Sequence, residues 1–141
     1  MKKLLLIILQ CLLCMLLCSC GETYADTLAD YYEERLSDYE EIAQYALQNY
    51  AATDGSRKTV LLSDITDENL TQSISVAAED FGYVWIENNS VVFWNDETKT
   101  LGLIYSENVR SEIKAIEEWY NGTARKKING NWYLIGQFNS I

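Results

Sequence analysis

The chain has 141 residues, no histidine and no proline, and a net charge of −10 from 11 basic and 21 acidic residues. Without histidine it lacks the usual general base near neutral pH, any Ser-His or Cys-His dyad and the commonest metal ligand. The acidic balance repels nucleic acid and anionic headgroups, while 10 tyrosines and 4 tryptophans argue against disorder.

Lys2 and Lys3 precede an apolar run that begins at Leu4 and ends in Leu17-Cys18-Ser19-Cys20. A positive start, an apolar middle and small residues at a cleavage point are the features of a secretory signal. Leu4 to Cys18 is shorter than the roughly 20 residues that a stable membrane span requires. Leu17, Ser19 and Cys20 resemble the lipobox of bacterial lipoproteins, in which a leucine stands three residues before the modified cysteine and a small residue just before it. Cys18 departs mildly from that pattern. The resemblance implies removal of residues 1–19 and a diacylglycerol on the sulfur of Cys20. It also implies attachment to the lipid bilayer at the extracytoplasmic face of the cell membrane, where two acyl chains hold stably and one is marginal. Processing of this kind would take Lys2 and Lys3 from the 11 basic residues and leave all 21 acidic ones, so the charge would move from −10 to −12. Cys11, Cys14 and Cys18 would leave with the signal and Cys20 would be acylated, so no thiol would remain for a disulfide or a zinc site.

Residues 20–25 form a short tether, and 26–141 read as a single domain. Leu28, Tyr32, Leu36, Tyr39, Ala43, Ala46 and Tyr50 recur at the period of one buried helical stripe. This predicts one long helix over Asp26–Ala52, closed by Asp54-Gly55. Thr59–Leu62 is a strand candidate. A second helix is expected over Asp67–Asp80, with Thr66 as cap and Ile65 and Leu70 at the staple positions. Asp64, Asp67 and Glu68 lack the ligand alternation of a calcium loop and read as capping residues.

From Tyr83 the period becomes that of strands. Tyr83–Glu87 and Val91–Trp94 flank the turn residues Asn88-Asn89, and Leu101–Tyr105 follows a polar loop. Glu107–Tyr120 fits a helix slightly better than a strand. Ala124–Ile128 and Asn131–Phe138 bracket Asn129-Gly130, a strong hairpin signal. The expected fold is α+β, with the long helix and a second helix packed on an antiparallel sheet of four to six strands.

No phosphate loop, nucleophile elbow or metal-ligand pair is present, so neither catalytic residues nor a metal nor another cofactor is assigned. Arg125-Lys126-Lys127 could meet an acidic partner, but pairing with the acidic first helix is the favoured expectation. Tyr83, Trp85, Trp94, Trp132 and Tyr133 are the candidate binding surface, because large apolar patches mark interaction sites. The aromatic Tyr83–Trp94 hairpin, Gly102–Ser106 and Lys127–Leu134 together resemble in style the small cell-surface lipoproteins of Gram-positive bacteria. The expected role is non-enzymatic, binding a cell-envelope protein or glycan or serving a structural purpose at the surface. The alternative is an inhibitor or immunity lipoprotein that blocks a hydrolase or toxin through its acidic face.

Overall fold

A computed structural model describes residues 24–97, 99–107 and 124–136. The leader, the start of the tether, Trp119 and nearly all of the ambiguous Glu107–Tyr120 segment lie outside them. Among the described residues no helix is long and apolar enough to cross a membrane.

The first apolar stripe forms two helices, α1 (Tyr24–Glu33) and α2 (Leu36–Tyr50), where the spacing predicted one. Arg35 makes the break. It sits at φ −112° and ψ 0°, and its backbone N–H donates to the Tyr32 carbonyl at 2.9 Å. Its guanidinium donates to the Tyr31 carbonyl at 2.9 Å and lies 3.8 Å from the Tyr31 ring centroid. Carbonyls orphaned at the helix end are thus satisfied locally. The stripe runs through the break because both helices face the same core, with Tyr32, Tyr39, Ala43 and Ala46 all buried in it. Periodicity alone therefore hides the turn.

β1 (Lys58–Leu61) follows, then single 3-10 turns at Leu62–Asp64 and Glu68–Leu70 and the helix α3 (Thr71–Ala77). Asp67 makes the cap expected of Thr66: its side chain accepts from the Asn69 N–H at 2.9 Å. Ile65 and Leu70, the staple pair, are both buried. The α-helical part is shorter than predicted because its first turn is wound as 3-10 helix and its last residues, Ala78–Asp80, as turn.

The remaining strands are β2 (Tyr83–Glu87), β3 (Ser90–Trp94), β4 (Leu101–Ser106), β5 (Ala124–Lys127) and β6 (Trp132–Gly136). They form a six-stranded sheet in the order β1-β2-β3-β4-β6-β5, with every pair antiparallel. The two predicted hairpin turns hold, with positive φ at Asn88 (51°) and Gly130 (53°). The α+β class and the upper strand count are both as expected.

Alternation along the strands divides the sheet into two faces. Val60, Val84, Ile86, Val91, Phe93, Leu103, Tyr105, Trp132 and Leu134 meet the helices in one buried cluster. Its centre is aromatic: Tyr39 packs edge-on against Phe81 and Phe93, with ring centroids 5.7 and 5.4 Å away. Asp80, just beyond α3, ties this layer together by accepting from the Tyr31 and Tyr39 hydroxyls at 3.1 and 3.5 Å. Burial, more than the Asp80 charge, pushes the Tyr32 and Tyr39 phenols well above the ordinary value of 10.0.

The two sheet edges differ. At β5, Lys126 bonds to Asp26 of α1, and Asn129 donates to Glu33 at 3.1 Å. Of the basic cluster, Lys126 makes the expected pairing with the first helix, while the Lys127 ammonium lies 5.9 Å from the Tyr133 ring centroid. At β1 no strand or helix continues the sheet among the described residues.

Candidate functional site

The second sheet face carries Tyr83, Trp85, Val92, Trp94, Ile104, Tyr133 and Ile135 as its own buried cluster. Four of the five aromatic residues proposed as a binding surface therefore share a face. Trp132 does not, because neighbouring residues on a strand point to opposite sides, and it packs with Tyr105 under the helices, ring centroids 5.1 Å apart. The five do not form one exposed patch either: Tyr83 is 9% exposed, Trp85 6%, Trp94 0%, Trp132 3% and Tyr133 7%. Among the described residues, this face opens to the surface at its β1 end, where Leu61 is 49% exposed.

There, Arg57, Thr59, Leu61, Tyr83, Trp85, Glu97 and Lys99 line an open groove of about 380 Å³. Trp85 is its floor. Trp94, diagonal to it on the same face of the next strand, packs against it edge-on with ring centroids 5.2 Å apart. Trp94 in turn lies against Gly102, where a β-carbon would come within 2.8 Å of its ring. The glycine is thus required in mid-strand by the close approach of the indole.

Two cations converge on the Trp85 ring from opposite segments. The Arg57 guanidinium carbon is 4.3 Å from the centroid and the Lys99 ammonium 4.4 Å, both within cation–π range. Arg57 is delivered by a turn after α2, in which Gly55 takes φ 73° and the Asp54 carboxylate accepts from the Ser56 N–H at 3.0 Å. Those bonds to Ser56 hold the Asp54 carboxyl below its ordinary value of 3.8. Arg57 is then fixed by Glu87, whose Oε2 lies 2.8 Å from Nε and 2.7 Å from Nη2.

Lys99 is delivered by the loop between β3 and β4. Asn95 organises it, donating to the Thr100 hydroxyl at 2.9 Å and accepting from the Leu101 N–H at 3.3 Å. Tyr83 donates its hydroxyl to the Asp96 carbonyl at 3.0 Å, and the Lys99 N–H bonds the same carbonyl at 3.1 Å. Lys99 itself takes φ 53°, a left-handed conformation costing a non-glycine residue about 1 kcal/mol. Such local strain gathers where a side chain must be aimed. Arg57, Lys99 and Leu61 were not singled out from the sequence. They come from two segments, the turn and strand over Arg57–Leu61 and the β3–β4 loop, and the fold brings both to the groove at Trp85.

A second groove, of about 370 Å³, lies between the α1–α2 turn and the β5–β6 hairpin, lined by Glu33, Leu36, Glu40, Tyr105, Trp132 and the Asn129-Gly130-Asn131 turn. Its lining carries carboxylates and no cation. Burial first, then the Glu107 and Glu40 carboxylates, raise the Tyr105 phenol above 10.0. Among the described residues no group of three His, Cys, Asp or Glu is placed to hold a metal.

Comparison with known proteins found no matching family model, no matching curated protein and no matching solved structure.

Proposed function

We propose that this chain is a lipid-anchored lipoprotein of the bacterial cell envelope, tethered through Cys20, whose α+β domain binds a ligand at the cell surface. The observation that carries the binding role is the groove at Trp85, where a strained lysine and a carboxylate-fixed arginine bracket one indole. A concave groove with an exposed leucine on its rim and polar side chains in fixed positions holds a ligand by apolar contact and hydrogen bonds, and the sequence supplies no histidine for general base work. Anchoring rests on the Leu17-Cys18-Ser19-Cys20 pattern. The test is fatty-acid labelling of the full chain in a bacterial host, with Cys20→Ala beside it. Label in the membrane fraction that disappears in Cys20→Ala supports the anchor; equal label in both defeats it.

The second reading, an inhibitor or immunity lipoprotein, is favoured by the groove that Glu33 and Glu40 line. A partner held there by charge would dissociate as salt is raised, whereas an apolar contact would persist.

A further inference from the structure

We propose that Asn129 is a site of self-modification: its side-chain amide is lost to water through a cyclic imide formed with Gly130, and the carboxylate that results releases the β5–β6 turn from α1. The Trp132 N–H donates to the Asn129 carbonyl at 2.9 Å, and Gly130 takes φ 53°. The turn therefore has Asn129 at its first position, with Gly130 and Asn131 at its centre. Asn129 and Gly130 are both exposed, and a β-carbon on Gly130 would meet nothing within 4 Å. Water and solvent base thus reach the peptide nitrogen between them. Among the described residues that N–H makes no hydrogen bond. Asn129 is also the described asparagine that precedes a glycine, the residue with no β-carbon to obstruct ring closure. Asn69 and Asn131 differ: the N–H groups that follow them, of Leu70 and Trp132, are hydrogen-bonded at 3.1 and 2.9 Å, and both residues carry bulky side chains.

The step needs only water. The Gly130 nitrogen gives its proton to solvent base and bonds to the Asn129 Cγ, while the Cγ–Nδ2 bond breaks and that nitrogen leaves as ammonia. The ring that closes is a five-membered imide. Water then opens it. Breaking the N–Cγ bond leaves aspartate, and breaking the other ring N–C bond leaves isoaspartate, with the main chain routed through Cβ and Cγ. No electron is transferred; an amide nitrogen is exchanged for a water oxygen. The surroundings set the consequence. Asn129 Nδ2 donates to Glu33 Oε1 at 3.1 Å, joining the turn to the last residue of α1. A carboxylate at 129 cannot donate, and it faces Glu33 at the negative end of the helix dipole. Glu33 and Glu40 line the groove beside it with no cation, so no neighbour on that wall neutralises the new charge. Isoaspartate also lengthens the main chain between Ile128 and Trp132, where the Ile128 N–H donates to the Trp132 carbonyl at 3.0 Å to close the hairpin.

For the test, full-length protein in non-ionic detergent micelles is held in mildly alkaline and in mildly acidic buffer. The tryptic peptide that begins at Ile128 is then read by electron-transfer fragmentation, which separates aspartate from isoaspartate. Acid should appear at position 129 as both isomers, faster in the alkaline buffer, while Asn131 of the same peptide keeps its amide. Gly130→Ala, whose β-carbon crowds the attacking nitrogen, should slow the reaction; the comparison with Asn131 stands if that variant does not fold. Asn129→Asp carries the product charge, and Asn129→Ser loses the amide without gaining charge. At low salt the Asn129→Asp protein should unfold at a urea midpoint about 0.2–0.5 M below that of Asn129→Ser, and added salt should narrow the gap. An amide intact at 129, or acid there no faster than at 131, would overturn the modification. Equal stability of the two variants at low salt would overturn the release of the turn. Both readouts are independent of whether Cys20 carries lipid.

Discussion

Gly102→Ala tests the support beneath the groove. A β-carbon there would stand 2.8 and 2.9 Å from two ring carbons of Trp94 and 2.9 Å from the Ile135 γ-methyl. Ordinary carbon contacts lie at about 3.5–4.0 Å, so the overlap is roughly 0.6–1.2 Å on two sides at once. Trp94 is fully buried and Ile135 likewise, so neither can swing into solvent. Overpacking of this kind costs about 1–3 kcal/mol. Replacing a mid-strand glycine returns roughly 0.5–1 kcal/mol of chain entropy. The net loss should lie within about 0–2.5 kcal/mol, and a central loss of about 1 kcal/mol lowers a urea midpoint by about 0.5–1 M at a typical slope. Since Trp94 supports Trp85, tryptophan emission of the folded variant should shift as well. Trp94→Phe removes the ring atoms in conflict, so the double variant should recover stability relative to the sum of the single changes by more than about 0.5 kcal/mol. A Gly102→Ala protein clearly more stable than the parent, or one strictly additive with Trp94→Phe, would refute the register that places Gly102 beside Trp94 and Ile135.

Three further outcomes are expected. Asp80→Ala removes the acceptor shared by Tyr31 and Tyr39 and should cost about 1–3 kcal/mol by urea unfolding. The Tyr32 and Tyr39 phenols are raised from 10.0 by burial, so the unfolded chain ionises first. Stability should be complete below pH 10.0 and fall above it, with tyrosinate absorbance of these two appearing only as the protein unfolds. Lys126→Ala breaks a partly exposed pair with Asp26 and should cost only about 0.2–1 kcal/mol, less at high salt, in the same unfolding assay.

The hairpins were legible because Asn88-Asn89 and Asn129-Gly130 carry their turn chemistry in the residues themselves. The change from helical to strand period at Tyr83 likewise announced the sheet. The break at Arg35 was not legible, since an arginine bonding a carbonyl four residues back leaves no mark on an apolar pattern that continues across it. Thr66 and Asp67 are both good caps, and only the geometry separates them. The groove was half legible. Tyr83 and Trp85 stand out in the sequence as aromatic residues, but they are more buried than a surface patch requires, and Trp132 lies across a face boundary from them. Parity along β6 could have separated Trp132 from Tyr133. Nothing local could have put Arg57 and Lys99 over one ring, because that contact depends on the register of β1 on β2 and on the left-handed turn at Lys99.

Photocrosslinking in living cells tests the surface-binding role most directly. Leu61 is replaced by benzoylphenylalanine in the full chain, and Ser75, exposed on α3, is replaced in parallel. The account predicts a discrete adduct from position 61 in the membrane fraction and none from position 75. No adduct at 61, or the same adducts from both positions, would contradict it.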